Sequence, residues 1–323
     1  MLDVVALGEL LIDFTQISSD NAGTRCFQQN PGGAPANVLA VISKYGGKCA
    51  FIGKVGADMF GEFLRDQLQA ISIDCRNLVM DSEHNTTLAF VALDDKGDRS
   101  FNFYRNHGAD ICLLPSEINF EIIEHCKIFH FGTLSMTHEP SLSATKCAVE
   151  YAKACGKIIS FDPNYRALLW RDADSAIEAM KYGLSYADIA KLSIEEAQMV
   201  TGEKEPEKCI KALLEYDLSF AAVTMGAQGC LYSTQKFIGS YPEFPAKVID
   251  TTGAGDTFWG TFLIKFLENN GNIQELSAQK ISEIVLMANI AAAMSTEKKG
   301  SIPSIPDLDK VIAAFIKNKN GQN

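Results

Sequence analysis

No stretch of this sequence approaches the roughly 18 consecutive apolar residues that a membrane span needs, and the first residues lack the basic start and short apolar core of a secretion signal. The chain is therefore expected in the cytoplasm, without a membrane partner. Positive charge is in deficit: 29 Lys and Arg stand against 40 Asp and Glu, a net charge of −11, which opposes binding to nucleic acid or an anionic surface. Metal-type cysteine spacing is missing too. The nine cysteines are an odd number whose closest members, Cys147 and Cys155, lie eight residues apart, so they read as reduced thiols used as small apolar residues. Two common nucleotide-binding words are also absent. The chain holds no GxxxxGK[ST], and GKVGADMFG at 53–61 does not have the GxGxxG spacing, which sets aside a P-loop and a dinucleotide fold.

What is present is apolar material, 47% of 323 residues at a mean hydropathy of +0.01, enough to bury a large core in one domain spanning 1–323. Strand-like and helical runs alternate through residues 4–7, 36–44, 49–52, 60–70, 127–131, 142–154, 157–161 and 189–192. This alternation predicts an α/β fold, a mostly parallel sheet with helices on both faces. Later, 220–224 reads as a strand, 230–240 as a hairpin, and 256–269, 277–294 and 308–317 as helices. Two regions break the rhythm. Residues 24–28 read as an edge strand, while 86–93 and 99–104 flank the turn cluster Asp94, Asp95, Lys96, Gly97 and Asp98, a hairpin signal. Inserted after the first strand and the second helix, segments of about 14–31 and 85–108 would project from the sheet as a small β lid. Such a lid excludes water from a reaction; packing against a helix is the plainer role for the same hairpin.

The most specific stretch is VIDTTGAGDTF at 248–258. Val248 and Ile249 read as a strand end, Gly253, Ala254 and Gly255 as a turn without bulk, and Phe258, Phe262 and Phe266 as a helical repeat that Asn269, Asn270 and Gly271 stop. The first amides of such a helix have no intrahelical acceptors and carry partial positive charge, which suits phosphate oxygens. Asp256 falls in that first turn, where a carboxylate can take the proton of a hydroxyl attacking a phosphoryl group. Taken by itself, GAGD is also compatible with a helix cap and a tight turn.

The longer word DTTGAGDTF resembles the C-terminal signature of the ribokinase-like (PfkB) sugar and nucleoside kinases, and PGGAPAN at 31–37 with GKVGADMFG resembles their N-terminal signature. The resemblance runs from Gly8 to Pro306. It implies a three-layer αβα sandwich with a small β-sheet lid, Asp256 as catalytic base, and the amides of Gly253, Ala254 and Gly255 as an anion hole. On the sugar side it implies Asp13, Gly32, Gly33 and Asn37, with Phe103 and Arg105 from the lid hairpin and Arg166 from SFDPNYR. On the nucleotide side it implies Asn164, Lys191 and Glu196, the last two from KLSIEE, then Thr224, Gly226 and Gly229 from VTMGAQGC, and Asn289 in the adenine pocket. The family usually carries asparagine where this chain has Ser193. ATP and Mg2+ are the implied cofactors, Glu196 holding the metal through water. K+ is implied as an activator at Asp250 and Thr252, closed by carbonyls near 296–301. A homodimer through the lid is implied as well.

Three local words, GGAPAN, TTLAFVALDDKGDRSFNFYRNHGAD and FDPNYRALLW, look most like fructokinases. D-fructose would then be phosphorylated on its terminal hydroxyl. The rival within the family is 2-keto-3-deoxygluconate kinase, in which arginines matching Arg105 and Arg166 meet the substrate carboxylate, as the guanidinium fork does well. Pro35 and the RNHGAD continuation favour fructose. From a different class, a sugar-binding regulator that has lost catalysis is the alternative, and an intact Asp256, Gly253 and Gly255 speak against it.

Overall fold

The computed structural model describes residues 1–19, 24–93 and 99–321; the turn cluster from Asp94 to Asp98 lies outside the described residues. Among the described residues thirteen strands form two sheets: β1 (Leu2–Leu7), β2 (Leu11–Ser19), β3 (Arg25–Gly32), β4 (Cys49–Gly56), β5 (Asp74–Asp81), β6 (Leu88–Leu93), β7 (Arg99–Tyr104), β8 (Cys126–Phe131), β9 (Ile158–Phe161), β10 (Ile189–Ser193), β11 (Phe220–Thr224), β12 (Cys230–Thr234) and β13 (Ile238–Tyr241). The larger sheet has nine strands in the order β13-β12-β11-β10-β9-β8-β1-β4-β5. Every pairing from β11 to β5 is parallel, and β12 and β13 add an antiparallel edge.

The continuous apolar runs explain the layering. Val4 to Leu7 of β1 are fully buried, as a strand covered on both faces should be. Successive side chains point to opposite faces. Val4 and Ala6 accordingly join a core with Phe51, Trp259, Phe262 and Val285, whereas Val5 and Leu7 join one with Phe129, Phe131, Phe161 and Met180. Helices Ala34–Lys44, Ala254–Glu268 and Ala278–Ser295 cover the first face, and Ser141–Ala154 and Ala173–Tyr186 the second. The expected three-layer sandwich is therefore what forms. Trp259 and Phe262 stack at 5.0 Å, and Phe262 lies 4.2 Å from Phe220, so the Ala254–Glu268 helix is buried almost all round and its first turn is rigidly placed. Asn269 caps its end, with Asn270 and Gly271 left-handed.

The smaller sheet has the order β3-β2-β6-β7. β3 is its edge strand, and β6 and β7 pair as the expected hairpin. One element was not anticipated. Asp74–Asp81 forms β5, so the second insertion follows that strand and not the helix before it. Arg76 and Asn77 interrupt its apolar pattern; Asn77 is nonetheless buried, donating to Glu117 O at 2.8 Å and accepting from Asn119 N at 2.7 Å. A sheet-edge strand satisfied by loop contacts leaves little periodic signal. No helix among the described residues is long and apolar enough to cross a membrane.

Candidate active site

The strand order reverses at β1, which lies between β8 and β4, and ligands of open α/β sheets bind beyond the carboxyl ends at such a point. A cavity of about 640 Å³ opens there. Glu9 comes from the end of β1, Asp13 from β2, Gly33, Ala34 and Asn37 from the start of the Ala34–Lys44 helix, and Phe103 from β7. Asn164 and Arg166 follow β9, Lys191 lies in β10, Glu196 lies in the Ile194–Thr201 helix, and Thr252, Gly253, Gly255 and Asp256 complete the wall.

Gly253 caps the Ala254–Glu268 helix at φ 76° without any side-chain cap, so Asp256 does not serve as the cap. A Cβ on Gly253 would stand 2.6 Å from Ser301 Cβ, and one on Gly255 would stand 3.0 Å from Lys191 Nζ. The turn thus has no room for side chains. Among the three amides expected in the anion hole, Ala254 N already donates to Thr251 O at 3.2 Å. This leaves Gly253 and Gly255, whose amides meet no recorded acceptor among the described residues, as the better donors for a ligand. Asp256 is buried, and its carboxylate accepts from Asn37 Nδ2 at 2.8 Å and from Asn164 Nδ2 at 3.4 Å. Asn37 Oδ1 has no partner among the described residues, an acceptor left for a ligand hydroxyl.

Asp13 sits across the β2–β3 ladder from the segment holding Gly32, and a Cβ on Gly32 would fall 2.2 Å from Asp13 Oδ2. Gly32 therefore acts by making space for that carboxylate and does not itself line the cavity. Loss of water pushes the Asp13 pKa up to about 6, against the pull of Arg166 and with help from Asp256 and Asp250. Glu9 escaped the sequence reading. It is buried, its Oε1 accepts from Ala34 N at 2.8 Å, and burial pushes it up to about 7. The available signal was an ionisable residue inside the otherwise apolar run from Val4 to Ile12.

Arg105 is placed otherwise than expected. Its guanidinium is buried, donating to Asp110 Oδ2 at 2.8 Å, Thr137 Oγ1 at 3.0 Å and Leu134 O at 2.8 Å, and it does not line the cavity. Asp110, five residues on, consumes the fork. Arg166 is exposed and does face the cavity, donating to Tyr165 O at 2.9 Å and Asn164 Oδ1 at 3.3 Å.

A second cavity of about 370 Å³ adjoins the first and shares Thr224, Thr251 and Gly255 with it. Gly226, Gly229, Ala254, Phe258 and Asn289 also line it; Asn289 Nδ2 donates to Pro242 O at 2.8 Å. Glu196 is buried in a capping box: its two oxygens accept from Tyr165 N and Ser193 N, both at 2.7 Å, while Ser193 Oγ caps the helix. Serine at 193 is thus explained as a cap. Each oxygen of Glu196 keeps a lone pair, which fits water-mediated Mg2+, a metal that takes few protein ligands. Among the described residues no group of three or more His, Cys, Asp or Glu could hold a metal ion. Asp250 accepts from Thr252 N at 2.7 Å and Gly300 N at 3.0 Å, and Thr296 O accepts from Ile249 N and Asp250 N; these oxygens are of the hard kind that suits K+.

Two cavities that adjoin at Thr224, Thr251 and Gly255, with a buried carboxylate lining the first from the opening turn of a helix, are the arrangement of a ribokinase-like sugar phosphotransferase on this sheet. Residues 1–308 match the pfkB family carbohydrate kinase profile, and the chain belongs to that family. It is similar to probable fructokinase-5 of Arabidopsis thaliana, 42% identical over 306 residues and 94% of each chain. The crystal structure of a fructokinase with bound ATP from Xylella fastidiosa superposes with a TM-score of 0.88 at 30% identity, over 99% of this chain and 100% of that one. A fructokinase double mutant from Vibrio cholerae O395, in fructose-, ADP- and potassium-bound form, gives 0.86 at 31% identity, over 97% and 98%.

Proposed function

We propose that the protein is a fructokinase, transferring the γ-phosphate of MgATP to the terminal hydroxyl of D-fructose. The observation that carries this reading is Asp256, buried in the wall of the first cavity next to Gly255, which both cavities share, and held by Asn37 and Asn164. Sugar occupies the side of Glu9, Asp13, Gly33, Asn37 and Phe103; nucleotide occupies that of Thr224, Gly226, Gly229 and Asn289, with Asn164 and Lys191 toward the phosphates. Asp256 takes the hydroxyl proton as the oxygen attacks, and the Gly253 and Gly255 amides offset charge on the migrating group. Glu196 would hold Mg2+ through water, the metal supplying positive charge against the phosphates, and Asp250 and Thr252 would hold K+ beside the turn.

Fructose is favoured over 2-keto-3-deoxygluconate by charge. Arg105 is neutralised by Asp110 at 2.7 Å, and Glu9 and Asp13 line the sugar end, so a substrate carboxylate would meet acids there and only Arg166 in support. A neutral polyol fits that lining. The β2-β3 and β6-β7 strands serve as the lid, and the proposal includes a homodimer through it; a monomer at all concentrations in sedimentation would remove that part. A coupled ADP-release assay across fructose, 2-keto-3-deoxygluconate, ribose and adenosine tests the rest. Release strongest with fructose is expected; sugar binding with no ADP from any of the four would point to a regulator instead.

A further inference from the structure

Asp162 is fully buried and does not line the cavity. Among the described residues its one close partner is Lys191, whose Nζ lies 2.7 Å from Oδ2, and its carboxylate accepts from no other donor. A buried carboxylate with so few donors is costly, and a buried ion pair is in general no more stabilising than an apolar pair of similar volume. Stability alone gives no reason for it. The pair does accomplish placement, because the same Nζ comes within 3.0 Å of the point where a Gly255 Cβ would stand, at the first turn of the Ala254–Glu268 helix.

The other charged groups around Lys191 are Glu196 from the Ile194–Thr201 helix and Asp256 from the Ala254–Glu268 helix. His130 of β8 faces the same interior, and burial first, then the Lys191 charge, push it down to about 3, so it is neutral. Lys191 is thus a cation ringed by acids; Glu196 and Asp256 line the cavity, while Asp162, in contact at 2.7 Å, does not.

We infer that Asp162 is a positioning residue for phosphoryl transfer: it pins the Lys191 ammonium against Gly255, facing the phosphoryl group as it migrates. The inference rests on the kinase reading above. A fixed charge of this kind stabilises the transition state without reorganising when the reaction occurs. Lys191 keeps its proton throughout, and no bond to it forms or breaks.

A double-mutant cycle with steady-state kinetics tests this. Lys191→Met should lower kcat about 10²- to 10³-fold, the size expected for loss of one preorganised charge-stabilising group, with fructose KM changing less than about threefold. Asp162→Asn should lower kcat about tenfold or more, also at nearly constant KM. The double variant should be no slower than Lys191→Met, since nothing is then left to position. Wild-type kcat in Asp162→Asn, or a double loss equal to the product of the two single losses, would overturn the inference and leave the kinase reading standing. If Asp162→Asn does not fold, the comparison of Lys191→Met with the double variant decides: equal kcat supports positioning, and a double variant about tenfold slower overturns it. A wild-type enzyme that releases no ADP with any sugar overturns the functional reading and this inference with it.

Discussion

Replacing Asp256 by asparagine removes a charge and a proton acceptor while keeping shape. The side chain accepts from Asn37 Nδ2 at 2.8 Å and Asn164 Nδ2 at 3.4 Å. An asparagine there can turn its oxygen toward Asn37 and keep the shorter bond, losing only the longer contact, a local cost of about 1 kcal/mol. Set against that, Asp256 repels Asp13 and Asp162 and helps raise both their pKa values, so neutralising it relieves the site. The thermal midpoint should therefore move by no more than about 4 °C. Turnover is another matter, since loss of a general base costs about 10²- to 10⁴-fold, which is about 2.7 to 5.4 kcal/mol of transition-state free energy. Coupled ADP release measures kcat, and calorimetric titration of fructose and ATP measures binding. If Asp256→Asn retains kcat within about threefold, with both ligands bound, the proton-acceptor role is wrong.

Gly253→Ala should destabilise the fold by about 1 to 2 kcal/mol, the cost of a left-handed residue with a Cβ, and lower kcat as the turn shifts off Ser301; an unchanged denaturation midpoint and rate would contradict the strain read from φ 76°. Burial pushes the Asp13 carboxyl up to about 6, so it should be mainly an ionised acceptor above that pH and protonated below it. Fructose KM should rise as pH falls through about 6, and a profile of the same shape in Asp13→Asn would assign the titration elsewhere. Arg105→Met strands the buried Asp110 carboxylate, so it should destabilise by about 3 to 5 kcal/mol in chemical denaturation while the ratio of fructose to 2-keto-3-deoxygluconate activity stays the same. A collapse of that ratio at unchanged stability would restore Arg105 to substrate recognition.

The parts of the molecule readable from sequence are those whose cause is local. Glycines, an acid and a phenylalanine repeat within 248–266 place the helix start, the acid in its first turn and its end at Asn269, because each depends on neighbours a few residues away. The buried runs of β1 and β8 likewise announce themselves. What escaped depends on distant partners. Arg105 reads as a ligand residue until Asp110, Leu134 and Thr137 are seen to absorb its donors. Ser193 reads as a lost amide until its helix is seen to need a cap. Asp162 sits in a word that suggests ligand contact, yet its counter-charge comes from Lys191 on the next strand of the sheet, and periodicity carries no trace of that pairing.

The longest of these distant contacts also bears on how sugar recognition and chemistry are connected. Asn37 and Asp256 are 219 residues apart and share a 2.8 Å hydrogen bond, so the donor of Asn37 is committed to orienting the carboxylate and its unpartnered Oδ1 remains for the substrate. In the proposed reaction, a hydroxyl donating to Oδ1 would be drawn beside the carboxylate that is to deprotonate a neighbouring hydroxyl. Binding and alignment of the base would then draw on the same side chain, and a poorly fitting sugar should lose both together. Asn289 and the Gly226 to Gly229 turn have no such link to Asp256, lying in the adjoining cavity. On the proposed function, changes there should alter how tightly nucleotide is held. Changes around Asn37 should alter the geometry of the reacting atoms, and are expected to appear in kcat as much as in KM.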